Sequence, residues 1–285
     1  SFKSLLNMLK KSKQIIFIKE FTMDLQLTGK VAVITAASKG LGKAVALELS
    51  KEGAVCYICS RDSNILQKAA DEIMSVTGNT VIALPCDVTN PDDITKCKDA
   101  IVKDYKTVDI LFTNAGGPPA GFISDFSSED YIRAIELNLI SAINLIYAFL
   151  PVMQKNQYGR IIASTSITVK QPLDNLVLSN VSRVGVVAFI KSIANQYGKY
   201  NITANAVAPG YILTDRLKSL IELKAQQDNI TYEKALASFA SEIPLQRIGT
   251  PQEFAALVAF LASPKSGYIN GQTILIDGGM YKGLF

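Results

Sequence analysis

Seven short runs of mostly β-branched and other apolar residues alternate with longer amphipathic stretches from residue 30 onward, and that order leaves few folds open. The runs at 31–35, 55–59, 81–84, 110–113, 160–163, 203–207 and 273–276 have the pattern of strands buried on both faces. The stretches at 41–52, 64–76, 91–103, 129–153, 176–197 and 251–261 carry apolar residues at helical spacing. Parallel neighbours need crossover connections, and helical crossovers cover both faces of the sheet they join. The expected fold is therefore α/β, a doubly wound parallel sheet of seven strands in a single domain over residues 23–285. A further segment, 215–243, is mostly helical in pattern and stands between the sixth and seventh strands.

Composition removes several chemistries. The chain has no histidine, so a Ser-His-Asp triad, a His-containing zinc site and any imidazole acid or base are excluded. The formal net charge of +4 is carried by residues 1–22, where Lys3, Lys10, Lys11, Lys13 and Lys19 face only Glu20. A neutral remainder offers no electrostatic footprint for nucleic acid. No uninterrupted apolar run reaches the roughly 18 residues of a membrane span. Cys56 and Cys59 lie three apart in a strand-like run, so they face opposite sides and read as core residues; with Cys86 and Cys97 they fit a reduced, cytoplasmic protein. Residues 1–22 match no element of the alternation and read as an N-terminal extension, before a natural-looking start at Met23.

Thr35-Ala36-Ala37-Ser38-Lys39-Gly40-Leu41-Gly42 joins the first strand to the first helix, where a dinucleotide fold needs a tight turn and close backbone approach to a pyrophosphate. This turn resembles that of the classical short-chain dehydrogenase/reductase family, Thr-Gly-x-x-x-Gly-x-Gly, with Ala36 at the first glycine. A methyl fits there provided φ stays negative. The resemblance runs over 27–279 and includes Asp87-Val88, Asn114-Ala115-Gly116-Gly117, Asn138, the segment from Pro209 to Thr214, and Gly267 to Gly279. It implies a Rossmann-like fold. It also implies a cofactor site built from Thr35, Ala37, Ser38, Lys39, Gly40, Leu41 and Gly42 at the phosphates, Asp87 and Val88 at the adenine, Asn114, Ala115 and Gly116 beside the ribose, and Pro209, Gly210, Ile212 and Thr214 at the nicotinamide. At the end of the second strand the chain has Ser60-Arg61 where an NAD-binding fold places a carboxylate. Arg61 can clamp a 2′-phosphate and Lys39 can add a second charge, so NADP(H) is favoured over NAD(H).

The catalytic set departs from the family. Counting from Ser166, a hydroxyl stands thirteen residues on at Ser179 and a cation four later at Arg183, on one helix face. The resemblance puts Tyr and Lys at those two positions, Ser166 as the hydroxyl that polarises the substrate, and Asn138 as a structural and relay residue. A serine hydroxyl cannot be tuned into a general acid as a phenol can, and Arg183 can bind ribose but cannot pass a proton on. Losing a placed acid costs roughly two to four decades of rate. Lys170 and Tyr211 are the candidate replacements. The expected activity is NADP(H)-dependent interconversion of a small-molecule carbonyl and an alcohol. The alternatives are an NADP(H)-binding sensor or scaffold that has lost turnover, or a structural partner in a mixed oligomer. The substrate is expected between Ser166, Gly116-Gly117 and the 215–243 segment, whose Leu217, Leu220, Ile221 and Phe239 serve either an apolar substrate or packing. By resemblance, the helices at 129–153 and 176–197 make a homotetramer or homodimer.

Overall fold

The seven apolar runs become seven strands of one parallel sheet in a computed structural model that describes residues 23–284. They are β1 (Val31–Thr35), β2 (Val55–Ser60), β3 (Val81–Pro85), β4 (Ile110–Thr113), β5 (Gly159–Ser164), β6 (Ile202–Pro209) and β7 (Thr273–Ile276). Their order across the sheet is β3-β2-β1-β4-β5-β6-β7. The N-terminal extension at 1–22 lies outside the described residues.

The helices are α1 (Gly40–Lys51), α2 (Ser63–Thr77), α3 (Pro91–Tyr105), α4 (Ser128–Ile135), α5 (Ser141–Asn156), α6 (Val177–Tyr197), α7 (Asp215–Gln227), α8 (Tyr232–Ser241) and α9 (Pro251–Ala262). One apolar layer joins α1, α2 and α9 to one face of the sheet through Val45, Leu49, Leu66, Ile73, Phe254 and Val258. The opposite layer seats α3, α5 and α6 through Ile101, Leu145, Phe149, Val186 and Ile190. Cys56 packs in the first layer and Cys59 in the second, as alternation along a strand requires, and all four cysteines are free and buried.

Two differences from the sequence reading bear on the site. The stretch expected as one helix at 129–153 is broken by a π-helical turn at Glu136–Ile140, and the two flanking helices continue through it. A π turn inserts one residue into the helical repeat and rotates the side chains it carries. Here it buries Asn138, whose Nδ2 donates to the Gly116 carbonyl at 3.2 Å and whose Oδ1 accepts from Ser182 Oγ at 3.1 Å. Secondly, the helical stretches 128–156 and 177–200 are long and apolar enough, by composition, to cross a membrane. Both pack one face onto the sheet through the layer that holds Leu145, Phe149 and Ile190, while Ile132, Ile140, Tyr147, Val181 and Val184 remain exposed on the other side.

Candidate active site

In a doubly wound sheet the chain leaves β1 and β4 in opposite directions, which opens a crevice beyond their C-terminal ends. A cleft of about 770 Å³ opens there, and the loops after β1, β2, β3, β4, β5 and β6 all line it. Thr35 ties two of these loops together: its Oγ1 donates to the Asn114 carbonyl at 2.7 Å and accepts from the Asn114 N–H at 2.8 Å.

The first glycine-turn residue corrects the expectation. Ala36 adopts φ 49°, in the left-handed region, where a methyl is disfavoured. The next two positions turn the chain into α1, whose N-cap Lys39 provides no side-chain cap. Uncapped N–H groups at a helix start are a ready anion site, and Gly40 and Leu41 face the cleft there. Gly42 lies behind the turn, where a Cβ would press into the Ala36 carbonyl and sit 2.9 Å from Ala37 Cα. Opposite this turn stands Thr214, with its Cγ2 3.7 Å from where a Cβ on Gly40 would be. These features fit a pyrophosphate between the turn and the start of α7.

Of the residues expected to hold a cofactor, Ser38, Lys39, Gly40 and Leu41 line the cleft, as do Ser60, Arg61, Asp87 and Val88. Asn114, Ala115, Gly116, Pro209, Gly210, Ile212 and Thr214 line it further along, together with Arg183. Thr35, Ala37 and Gly42 do not: they shape the turn, with the Ala37 N–H bonded to the Cys59 carbonyl at 3.0 Å. Partial burial pulls the Asp87 carboxyl up, but hydrogen bonds from Thr89 and the charge of Arg61 hold it below its ordinary value. The exposed Arg61 therefore stands near Asp87 at this end of the cleft. Cys86 also lines that end.

At the other end Ser166, Ser179 and Arg183 come together on the cleft wall. Ser166 caps a short 3₁₀ turn by accepting the Thr168 N–H at 3.2 Å, which leaves its own O–H free to donate. Ser179 is buried and shares a hydrogen bond with Thr168 Oγ1 at 3.3 Å. Arg183 is only 8% exposed, and its Nη1 donates to the Ser164 carbonyl at 3.2 Å. Burial, then the charge of Arg216, lowers its pKa to about 10. Behind the wall a cavity of about 10 Å³, lined by Asn138, Thr113 and Arg183, is the size of a single water.

Neither candidate for a replacement acid is well placed. Lys170 is exposed at the end of the 3₁₀ turn and is not among the residues lining the cleft. Tyr211 does line it, but burial and Glu242, to which its phenol donates at 3.2 Å, push its pKa above the ordinary phenol value. In the 215–243 segment, Leu217 and Ile221 pack with Ala235, Phe239 and Tyr211 in a small separate core. Packing thus accounts for Ile221 and Phe239, while Leu217 and Leu220 also reach the cleft.

The sequence is 35% identical over 257 residues to the 3-oxoacyl-(acyl-carrier-protein) reductase FabG of Vibrio cholerae serotype O1, covering 90% of this chain and 99% of that protein. A family profile described as enoyl-(acyl carrier protein) reductase matches residues 35–281.

The chain belongs to the short-chain dehydrogenase/reductase family.

The 7alpha-hydroxysteroid dehydrogenase of Escherichia coli K12 is 32% identical, over 90% of this chain and 96% of that protein. Among solved structures, L-sorbose reductase from Gluconobacter frateurii, complexed with NADPH and L-sorbose, superposes with a TM-score of 0.88 at 32% identity, covering 92% of this chain and all of that one. Within this short-chain dehydrogenase/reductase, sequence reasoning missed three polar side chains at the site. Thr168 bonds Ser179, Ser182 bonds Asn138, and Arg216 reaches across the cleft to donate to the Pro118 carbonyl at 2.6 Å. Only Arg216 left a legible signal, as a cation two residues beyond the nicotinamide segment.

Proposed function

We propose that this chain is an NADP(H)-dependent oxidoreductase that interconverts a carbonyl and an alcohol with an atypical catalytic set. One observation carries the reading: a single unbroken cleft runs from Lys39 and Arg61 to Ser166, Ser179 and Arg183. Lys39 and Arg61 would hold the 2′-phosphate, the N-terminus of α1 the pyrophosphate, and Ile212 with Thr214 the nicotinamide end. NADPH, when bound, supplies the hydride. Ser166 donates its free O–H to the substrate carbonyl oxygen and favours the negative charge that develops there. Arg183 orients the ribose hydroxyls and keeps a fixed positive charge beside the reacting centre. With serine at position 179, the proton that completes the alcohol comes from water. The expected consequence is turnover about 10²- to 10⁴-fold below that of a site with a placed acid.

A second reading is an NADP(H)-loaded sensor or scaffold without useful turnover. It is favoured by the exposure of Lys170 and the raised pKa of the Tyr211 phenol, which leave the cleft without a ready acid. Two measurements separate the readings. NADPH binding followed by its fluorescence should be tight, and Arg61→Ala should weaken NADPH about tenfold or more while leaving NADH little changed. The double variant Ser179→Tyr/Arg183→Lys should raise turnover of a carbonyl panel by about 10²- to 10⁴-fold. Binding with no turnover in the native protein would favour the sensor; absence of binding would end both readings.

We further propose a homodimer or homotetramer. Exposed Ile132 on α4, Ile140 in the π turn and Tyr147 on α5, with Val181 and Val184 on α6, form apolar faces that a second copy would cover. A cytoplasmic location is consistent with four unpaired cysteines.

A further inference from the structure

Two guanidinium groups face the substrate half of the cleft, and among the described residues no carboxylate pairs with either. Arg183 is only 8% exposed, spends one donor on the Ser164 carbonyl, and lines both the cleft and the small cavity behind it, with donors to spare among its five N–H groups. Arg216, on the first turn of α7 and exposed at the cleft mouth, donates to the Pro118 carbonyl at 2.6 Å and stands 3.6 Å from where a Cβ on Gly117 would be. Its charge is close enough to depress the pKa of Arg183.

The cleft's acids are all engaged elsewhere. Asp62 caps α2 by accepting the N–H groups of Asn64 and Ile65. Asp87 accepts from Thr89 at the adenosine end. Asp215 pairs with Lys218 at 3.4 Å, with its side chain 69% exposed. The substrate half therefore carries two like charges, one of them desolvated, and its one nearby carboxylate, Asp215, is paired with Lys218 and not with either arginine. Such an arrangement is costly alone and is relieved by an anion entering between them. Arginine's planar fork suits the two oxygens of a carboxylate or phosphate.

We propose that the carbonyl substrate carries an oxyanion group, a carboxylate or a phosphate, that Arg216 binds at the cleft mouth in the field of Arg183, presenting the carbonyl to Ser166. This rests on the carbonyl-reducing reading above. The same chemistry could be supplied by the dinucleotide pyrophosphate, so the test separates the two sources. Oxamate and inorganic phosphate, with propanamide as the neutral control, are titrated calorimetrically into the full chain, free and saturated with NADP+. NADPH affinity is measured alongside for native protein, Arg216→Leu and Arg216→Lys.

The expected result is binding of at least one of the two anions in preference to propanamide in the NADP+ complex. Arg216→Leu should weaken that binding by tenfold or more, Arg216→Lys by less, and NADPH affinity should change by under threefold in both. A preference for 2-oxo acids over their amides in kcat/KM should fall in the same order. If Arg216→Leu instead weakens NADPH tenfold and neither anion binds, the arginine serves the pyrophosphate and the proposal fails. It fails equally if both anions bind native protein and Arg216→Leu alike. Should NADPH itself not bind, the proposed function falls, and the titration of free protein then decides the anion site separately: loss of anion binding in Arg216→Leu supports it, and no anion binding overturns it.

Discussion

Replacing Ala36 by glycine should stabilise the protein, although alanine-to-glycine changes usually do the reverse. Ala36 sits at φ 49°, and an L-residue in the left-handed region costs about 1–2 kcal/mol that glycine avoids. Against this, glycine gives the unfolded chain extra freedom worth about 0.4–1 kcal/mol. The methyl is only half-buried and faces the cleft, so little packing is lost with it. The balance is a gain of about 0.5–1 kcal/mol, which for a chain of this size raises Tm by about 1–4 °C. Scanning calorimetry would compare native protein with Ala36→Gly and Ala36→Val. Valine, β-branched at a positive φ, should lower Tm below native because its strain is greater. NADPH affinity should rise in the glycine variant, since removing the methyl lets the turn approach the phosphates. A lower Tm for Ala36→Gly than for native protein, with Ala36→Val unchanged, would refute the claim that this position is strained.

Four further outcomes follow from particular contacts. Gly42→Ala should destabilise by about 1–3 kcal/mol in urea unfolding, because its new Cβ would meet the backbone of Ala36 and Ala37 rather than a movable side chain. Ser182→Ala should cost about 1–3 kcal/mol, since it leaves the buried carbonyl oxygen of Asn138 without its donor; the Asn138–Gly116 bond at 3.2 Å should loosen in amide exchange. Lys170→Ala should leave turnover and NADPH affinity within twofold of native, because the side chain is exposed and outside the cleft. Glu253 has its carboxyl lowered to about 2, first by the Arg247 hydrogen bond and then by the Thr250 N–H. A depressed carboxyl stabilises above the unfolded pKa and loses that contribution as pH falls through the folded one. The Tm difference between native protein and Glu253→Gln should therefore be constant near neutrality and shrink from about pH 4.5 to pH 2.

Much of the architecture was legible because it depends on local, repetitive signals. The strands at 31–35, 110–113 and 273–276 appear with the bounds their apolar runs suggest, and the others extend by one to three residues. A run buried on both faces must be apolar throughout, so the period itself reports the layer structure. The cleft residues Lys39, Arg61, Ser166, Ser179 and Arg183 were legible for a related reason: a doubly wound fold puts the C-terminal ends of its strands at one edge, so position along the chain predicts convergence.

What sequence could not supply were the features set by packing between distant segments. Ala36 takes a positive φ in a turn packed closely against Gly42, and nothing in the identity of alanine announces that. The π turn at Glu136–Ile140 has the composition of an ordinary helix, and is recognised only by where it places Asn138 against Gly116 and Ser182. Lys170 and Tyr211 looked equally able to give a proton, until burial and Glu242 raised one and solvent claimed the other. The amino-acid order alone determined the seven-stranded parallel frame and the departure at 179 and 183, because periodicity and residue identity are properties of the chain. Tertiary structure alone decided that Arg183 and Arg216, thirty-three positions apart, line one cleft with no carboxylate paired to either among the described residues, because charge balance depends on distance in space.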